Sequence, residues 1–303
     1  MPPSGVLDFL ADGERRMPLA VGAFLANTLR LRWETYLKQL RVCKRRFSAR
    51  TVHDLRVASR RLIAQLVMLG CVGVGKTEEE ARRVLKRRLK ALSALRDLHV
   101  QRLFIEQQVT RFPELSLVCD GLRHRERKLE RAAAGKVKSS KTRKLRKSLE
   151  SLEERLTRHS GQADHLAAKV TQATARAFAD VVRRQQAIDP DKPATIHRTR
   201  IAFKKFRYMV ESLSPEFTGL SKRDLRELAI YQRRMGILQD LEVLQQLLSD
   251  FVQQHRHAAE LLEPFARHLR ARRSRALRSF LKTADALFGF WPLATAHQKA
   301  KAA

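Results

Sequence analysis

Along most of the chain apolar residues return every three or four positions, and short stretches of glycine, proline, serine or aspartate interrupt the pattern. This spacing predicts amphipathic helices, because residues three and four apart share one helix face. Alternating β-branched runs, the mark of strands, are absent, so the fold class is all-α. The first helix is expected from Pro18 to about Phe47, burying Phe24, Leu25, Tyr36, Leu37 and Leu40, with Trp33 as a core residue. A second runs from about Arg50 to Leu69 on a row of Leu55, Leu62, Leu66 and Leu69, and ends at the glycine turn Gly70 to Lys76. Thr77 is expected to open the third, with Glu80 at capping-box spacing, and that helix ends near the Leu95 to Val100 segment. A fourth helical region spans Leu115 to about Leu156 and is interrupted near Gly135 and Ser139-Ser140.

Around Ser160-Gly161 the pattern starts again. A helix from about Gln162 to Gln186 is stopped by Asp189-Pro190-Asp191-Lys192-Pro193. The next, from about Thr195 to Leu213, carries Phe203, Phe206, Val210 and Leu213. After a turn at Pro215 and Gly219, Ser221 caps a helix with Asp224 three residues on, and this helix reaches Asp240 to Val243. A last helical region runs from about Leu244 to Phe290. Residues after Pro292 read as a frayed tail.

The two halves share more than rhythm. Val52-His53-Asp54-Leu55-Arg56-Val57-Ala58-Ser59-Arg60-Arg61 is matched 144 residues later by Ile196-His197-Arg198-Thr199-Arg200-Ile201-Ala202-Phe203-Lys204-Lys205. Ser221 follows Thr77 at the same offset, and Asp240 follows Asp97 at one residue less. Three marks at nearly one offset indicate an internal duplication, packed as two similar lobes. On a helix, His53, Arg56 and Arg60 form one row, and His197, Arg200, Lys204 and Arg207 form its counterpart. The apolar row of each helix lies about a third of a turn away. Each helix therefore has a face to bury and an adjoining face that presents cations. Ile63 stands where the second copy has Arg207, so one side is weaker in charge.

Lysine and arginine number 62 against 31 acidic residues, a formal charge of +31. So large an excess repels itself and implies a polyanionic partner: nucleic acid, an anionic membrane or a phosphate polymer. The stretch Arg123 to Lys147 alone holds twelve lysines or arginines and two glutamates. A hydrophobic share of 44% supports a packed core rather than a disordered basic tail. Cys43, Cys71 and Cys119 occur singly, which fits neither a disulfide framework nor a cysteine zinc site and suits a reducing compartment. No signal peptide is read between Met1 and Arg16, and the longest apolar stretch, Leu62 to Val74, is too short to span a bilayer. A cytoplasmic protein is expected.

Gly70-Cys71-Val72-Gly73-Val74-Gly75-Lys76-Thr77 matches the P-loop pattern, and Leu117-Val118-Cys119-Asp120 imitates a Walker B strand. A P-loop works because a strand leads into its glycines at a helix N-terminus. Here an arginine-rich amphipathic helix leads in, no parallel sheet is expected, and the matching turn of the second half, Ser214 to Leu220, lacks the pattern. A nucleotide site is therefore not expected.

The doubled His-x-x-Arg-x-x-x-[Arg/Lys]-[Arg/Lys] helix, with the paired Asp97 and Asp240 segments, resembles the CHAD domain, the conserved histidine α-helical domain, over about residues 10–295. The resemblance implies two pseudo-symmetric four-helix lobes, 10–160 and 161–295, around a central basic channel, with 296–303 as a frayed tail. It implies non-enzymatic binding of long-chain inorganic polyphosphate and association with polyphosphate granules. Carried over by residue, the binding set is His53, Arg56, Arg60 and Arg61 with His197, Arg200, Lys204, Lys205 and Arg207. The other basic rows, Arg83, Arg87 and Lys90, Arg176 and Arg183, Arg233, and Arg270 and Arg273, are expected to join it. Some relatives carry a triphosphate-tunnel hydrolase with a Glu-x-Glu-x-Lys strand; the nearest match, Glu78-x-Glu80-x-Arg82, ends in arginine and starts a helix, so that domain is expected to be missing.

Gripping a phosphate polymer requires charge and charge-assisted hydrogen bonds, and neither nucleophile, cofactor nor metal. His53 and His197 should be neutral beside arginines in an empty groove, so binding should tighten as pH falls toward 6. The competing view of each histidine is a structural hydrogen bond near its helix start. Asp97 and Asp240 are expected to pair with and orient the motif arginines. The alternative function is nucleic-acid backbone binding, for which Tyr208 is the one aromatic near the basic row available for stacking. A polyphosphate hydrolase is a third reading without a catalytic constellation.

Overall fold

In the computed structural model, residues 21–71, 73, 76–158, 163–213 and 220–291 are described. They form ten α-helices: α1 (Val21–Arg45), α2 (Ala49–Cys71), α3 (Lys76–Ala91), α4 (Ser93–Glu106), α5 (Ser116–Lys138), α6 (Arg143–Arg158), α7 (Ala163–Gln186), α8 (Pro193–Val210), α9 (Lys222–Gln254) and α10 (Ala259–Leu281). Three short 3₁₀ turns join or follow them, and among the described residues there is no strand. The expected all-α class is what the chain adopts. None of these helices is long and apolar enough to cross a membrane.

Local chemistry accounts for most boundaries. Pro193 opens α8, where its missing N–H and fixed φ cost nothing. Ser221 and Asp224 close a reciprocal capping box at the start of α9: the Asp224 N–H donates to the serine hydroxyl at 3.2 Å, and the Ser221 N–H donates to the aspartate at 2.7 Å. Ser139 and Ser140 end α5 by donating their hydroxyls to the Lys136 carbonyl. Gly135, expected near that break, lies inside the helix. Val72, Val74, Gly75, the turn at Ser160-Gly161, Pro215 and Gly219, and the expected tail fall outside the described residues.

Three expectations need correcting. Thr77 does not cap α3, which begins one residue earlier at Lys76. The third helix is not continuous but breaks at Leu92, whose φ of −100° and ψ of 0° leave the helical range. No new helix begins at Leu244: α9 runs 33 residues, because Leu241, Leu244 and Leu248 keep helical spacing and stay buried. The real break is His255, at φ −130° and ψ 70°.

The described core falls into two clusters, and neither follows the sequence duplication. The larger gathers α1, α2, α3, α6, α7, α8 and the first half of α9, with Leu95 of α4, Ala133 and Val137 of α5 and Phe280 of α10. The smaller joins Leu98 and Ile105 of α4, Leu115 to Leu122, Leu241 to Leu248 of α9, and Leu262, Phe265 and Leu269 of α10. Each cluster therefore unites elements from both halves of the chain.

An aromatic group anchors α8. Phe203 and Phe206 are fully buried; Phe203 lies 4.9 Å from Tyr231 of α9, and Phe206 lies 5.0 Å from Phe178 of α7, between ring centroids. Tyr231 is fixed in turn by donating to the Ala284 carbonyl at 2.9 Å. Each such ring contributes roughly 2–3 kcal/mol by burial. With Phe203 and Phe206 locked inward, the adjoining row of α8 has one direction left to face.

Candidate functional site

That direction is toward α2. The two motif helices pack against each other, and their basic rows meet. Lys204, half-buried, has Arg60 and Arg56 of α2 around its amine together with Arg200 and Arg207 of its own helix. Burial and these four guanidiniums, in that order, pull the Lys204 amine down to about 7. Among the described residues, Lys204, Arg60 and Arg200 form no ion pair. The side chains that bring both helices' charge together are Arg56, Arg60, Arg200, Lys204 and Arg207.

Arg56 differs from its neighbours because it is only 4% exposed. Its guanidinium donates to the Leu89 carbonyl at 2.9 Å and the Ser93 hydroxyl at 3.1 Å. Both acceptors flank the break between α3 and α4, so Arg56 takes up the carbonyl that an unbroken helix would use. Burial, then Arg60, lowers its pKa to about 10, which leaves it cationic at neutral pH. Burial likewise lowers Arg200, while Asp240 opposes that shift.

Asp97 of α4 and Asp240 of α9 act on the arginines of this cluster. Asp97 raises the pKa of Arg56 and Arg96, and Asp240 raises that of Arg96 and Arg200. Neither carboxylate makes an ion pair among the described residues, so the expected direct pairing is replaced by attraction through space. Both keep solvent access. Desolvation by the surrounding protein raises Asp240 above the usual carboxylate range against the pull of Arg200 and Arg96.

The histidines part company. The His197 Nδ1–H donates to the amide oxygen of Gln239, which anchors the start of α8 to α9. His53 is exposed, and burial of its ring followed by Arg96 depresses its pKa. Asp54 opposes this while Arg60 and Arg56 add to it.

The remaining expected residues are placed elsewhere or otherwise engaged. Arg61 lies 3.8 Å from Glu211, Arg83 lies 3.8 Å from Glu79, Arg183 lies 2.6 Å from Asp180, and Arg270 lies 2.7 Å from Glu263. Arg273 pairs with Glu242 in a narrow cleft shared with His197. Arg87 lines a separate hollow with Tyr36, Arg88 and Lys136. Lys90, Arg176, Lys205 and Arg233 are exposed and, among the described residues, unpaired.

Sequence reasoning missed three participants. Arg96 stands beside Asp97 and has its pKa lowered by burial despite Asp240. Glu211, four residues after Arg207 and therefore on its face, sits 3.3 Å from it as well as near Arg61. Arg32 of α1 donates to the Glu211 carbonyl at 2.8 Å, an arrangement that no spacing in the chain announces.

The P-loop resemblance ends here too. An α-helix leads into Gly70, and Leu117 to Asp120 lies inside α5. A Cβ on Gly70 would stand 2.6 Å from the Glu78 carboxylate, so this glycine serves close packing between α2 and α3. Glu78, Glu80 and Arg82 are helical as well.

Fold and site together define a class: an all-helical protein in which two helices carrying a similar basic motif pack together and bring their cations close. The family model of the CHAD domain matches residues 27–249, and the chain belongs to the CHAD family. The crystal structure of the CHAD domain from the plant Ricinus communis is similar in fold, with a TM-score of 0.66 and 22% identity over 89% of this chain and 93% of that one. No curated protein matches the chain.

Proposed function

We propose that the chain binds long-chain inorganic polyphosphate in the groove between α2 and α8 and does not turn it over. The observation that carries this reading is the group of Arg60, Arg200 and Lys204, drawn together with no carboxylate of the described residues at ion-pair distance. Cations held this close destabilise the empty protein, and a threaded polyanion relieves the repulsion. Polyphosphate carries about one charge per internal phosphate and has no bases to stack, so guanidiniums and amines supply all that its recognition needs. The binding set is Arg60, Arg200, Lys204 and Arg207, with Arg56 behind them and His53 at the rim. Cytoplasmic residence and association with polyphosphate granules accompany this reading.

The test is competition between long-chain polyphosphate and duplex DNA at matched phosphate concentration and about 150 mM salt. Preference for polyphosphate is expected; preference for DNA replaces this reading with nucleic-acid backbone binding. Incubation with polyphosphate and Mg²⁺ should leave its chain length unchanged.

A further inference from the structure

The hollow beside Arg87 shares no lining residue with the polyphosphate groove. Residues of α1, α2, α3 and α5 surround about 230 Å³ there. A cavity of about 150 Å³ suffices for benzene, so this one has room for a ring with a small head group. Its walls are of two kinds. Leu40, Leu55, Leu92 and Val137 give it a buried apolar side. Arg87, Arg88 and Lys136 line it as well, and none of the described lining residues is acidic. Arg87 and Lys136 are exposed and form no ion pair among the described residues. Arg88 donates to the Tyr36 hydroxyl at 2.8 Å and to the Lys141 carbonyl, both neutral, so its charge is uncompensated too. Lys44 holds the adjacent Ser140 carbonyl at 2.9 Å, which fixes the turn after α5 beside the hollow. Tyr36 is only 1% exposed, and among the described residues its own O–H finds no acceptor. Burial raises its pKa against the pull of Arg88, so the phenol keeps that proton at neutral pH. A buried donor without a partner is costly and calls for an acceptor from outside.

We propose that this hollow binds a small organic phosphate monoester, its apolar body against Leu40, Leu55, Leu92 and Val137 and its phosphate among Arg87, Arg88 and Lys136. The charge decides the head group. Three cations line the hollow, and a carboxylate brings them a single charge on two oxygens. A phosphate monoester brings about −1.5 to −2 at neutral pH and a third acceptor oxygen, which the Tyr36 hydroxyl is free to meet. The apolar side decides the rest: inorganic phosphate satisfies the cations but leaves the leucines facing water, whereas a ring or short alkyl group covers them. The volume holds such a body and not a lipid chain.

The full chain is titrated calorimetrically with phenyl phosphate at about pH 7.5, above the second phosphate pKa of about 6, and about 150 mM salt. Saturable one-to-one binding is expected. Inorganic phosphate lacks the ring and benzoate lacks charge, and each should bind at least about tenfold more weakly. Arg87→Gln and Lys136→Gln lie on the exposed rim and leave the core untouched. Each should weaken phenyl phosphate at least about fivefold, whereas Arg176→Gln and Arg233→Gln, which remove the same charge elsewhere, should change it less than about twofold. Absence of saturable binding, inorganic phosphate or benzoate binding as tightly as phenyl phosphate, or equal losses in all four variants would each overturn the proposal. So would a loss in Arg60→Ala as large as in Arg87→Gln, because it would place the ligand in the groove. Phenyl phosphate reports on the hollow without any polymer, so a failure of long-chain polyphosphate to bind is read separately.

Discussion

Arg200 lies over Gly236, so that a Cβ on this glycine would meet the arginine's Nε and Nη2 at 3.8 Å. The same pairing in the first half is Arg56 with Leu92, each 144 residues earlier. There the helix is broken and Arg56 bonds into the break; here α9 is continuous and Arg200 rests against a residue without a side chain. One motif arginine thus meets its neighbouring helix at one place by two solutions. Since 3.8 Å is ordinary van der Waals contact, Gly236→Ala should be accommodated. It should raise stability by about 1 kcal/mol through helix propensity, visible as a higher Tm with unchanged polyphosphate affinity.

Arg56 and Arg60 separate structure from binding. Arg56→Ala removes the donor to Leu89 and Ser93 from a nearly closed site and should cost about 2–4 kcal/mol in chemical denaturation. Arg60→Ala, at a site half-buried and unpaired among the described residues, should change stability by less than about 1 kcal/mol. It should instead weaken polyphosphate binding and lower the slope of log Kd against log salt by about one. Arg176→Ala or Arg233→Ala, outside the cluster, should alter neither by a comparable amount.

Lys204 sets the pH response of the empty protein. In the unfolded chain its amine titrates as an ordinary lysine, whereas in the fold it sits at about 7. Between those values the unfolded chain binds the extra proton, so this group makes stability rise with pH from about 7 upward. Below 7 the full penalty remains. Lys204→Met should therefore stabilise the ligand-free protein at pH 7, on the order of 1–2 kcal/mol after allowance for solvent screening, with the gain shrinking toward pH 10. The same variant should bind polyphosphate more weakly, so stability and function move in opposite directions.

Much of this was readable in the chain, for identifiable reasons. The helical rhythm of Leu55 to Leu69 and of Phe203 to Leu213 located α2 and α8, and the fixed offset indicated that their charged rows are related. Convergence of those rows was implied by the resemblance to the CHAD domain and not by the helical pattern alone. The break at Leu92 was not readable, because it is imposed by Arg56 from another helix and not by a local breaker. Nor was the low pKa of Lys204, which arises from burial and then from four arginines drawn from two elements. Charge count alone overstated the site: Arg83, Arg183, Arg270 and Arg273 each have a nearby acid that neutralises them.

Binding of a polyanion restores the proton to Lys204. Affinity should thus fall by up to about tenfold per unit as pH rises above about 7, and hold steady over the same range in Lys204→Arg. Below about 6.5 His53 adds a smaller gain, since its ring is depressed by burial and by Arg96 when the groove is empty. Titrations of Kd at constant ionic strength for the native chain, Lys204→Arg and His53→Gln resolve the two contributions. A native chain with flat affinity from pH 6 to 9 would show that no proton accompanies the polymer.

Glu211 acts as a competitor built into the chain. Its carboxylate lies 3.3 Å from Arg207 and 3.8 Å from Arg61, while Arg32 holds its backbone carbonyl at 2.8 Å. One acid therefore occupies an arginine from each motif helix and neutralises both at the edge of the cluster. Burial, followed by Arg61, lowers the pKa of Arg32, and Glu211 opposes that shift, which shows how closely charge is balanced there. Glu211→Gln keeps the shape and removes the charge. It should lower stability by about 1–2 kcal/mol, because Arg61 and Arg207 then face each other without an anion. Polyphosphate affinity should rise several-fold at low salt and converge with the native value near 0.5 M, where screening erases the difference. Unchanged or weaker binding at low salt would mean that Glu211 positions the arginines for the polymer instead of competing with it.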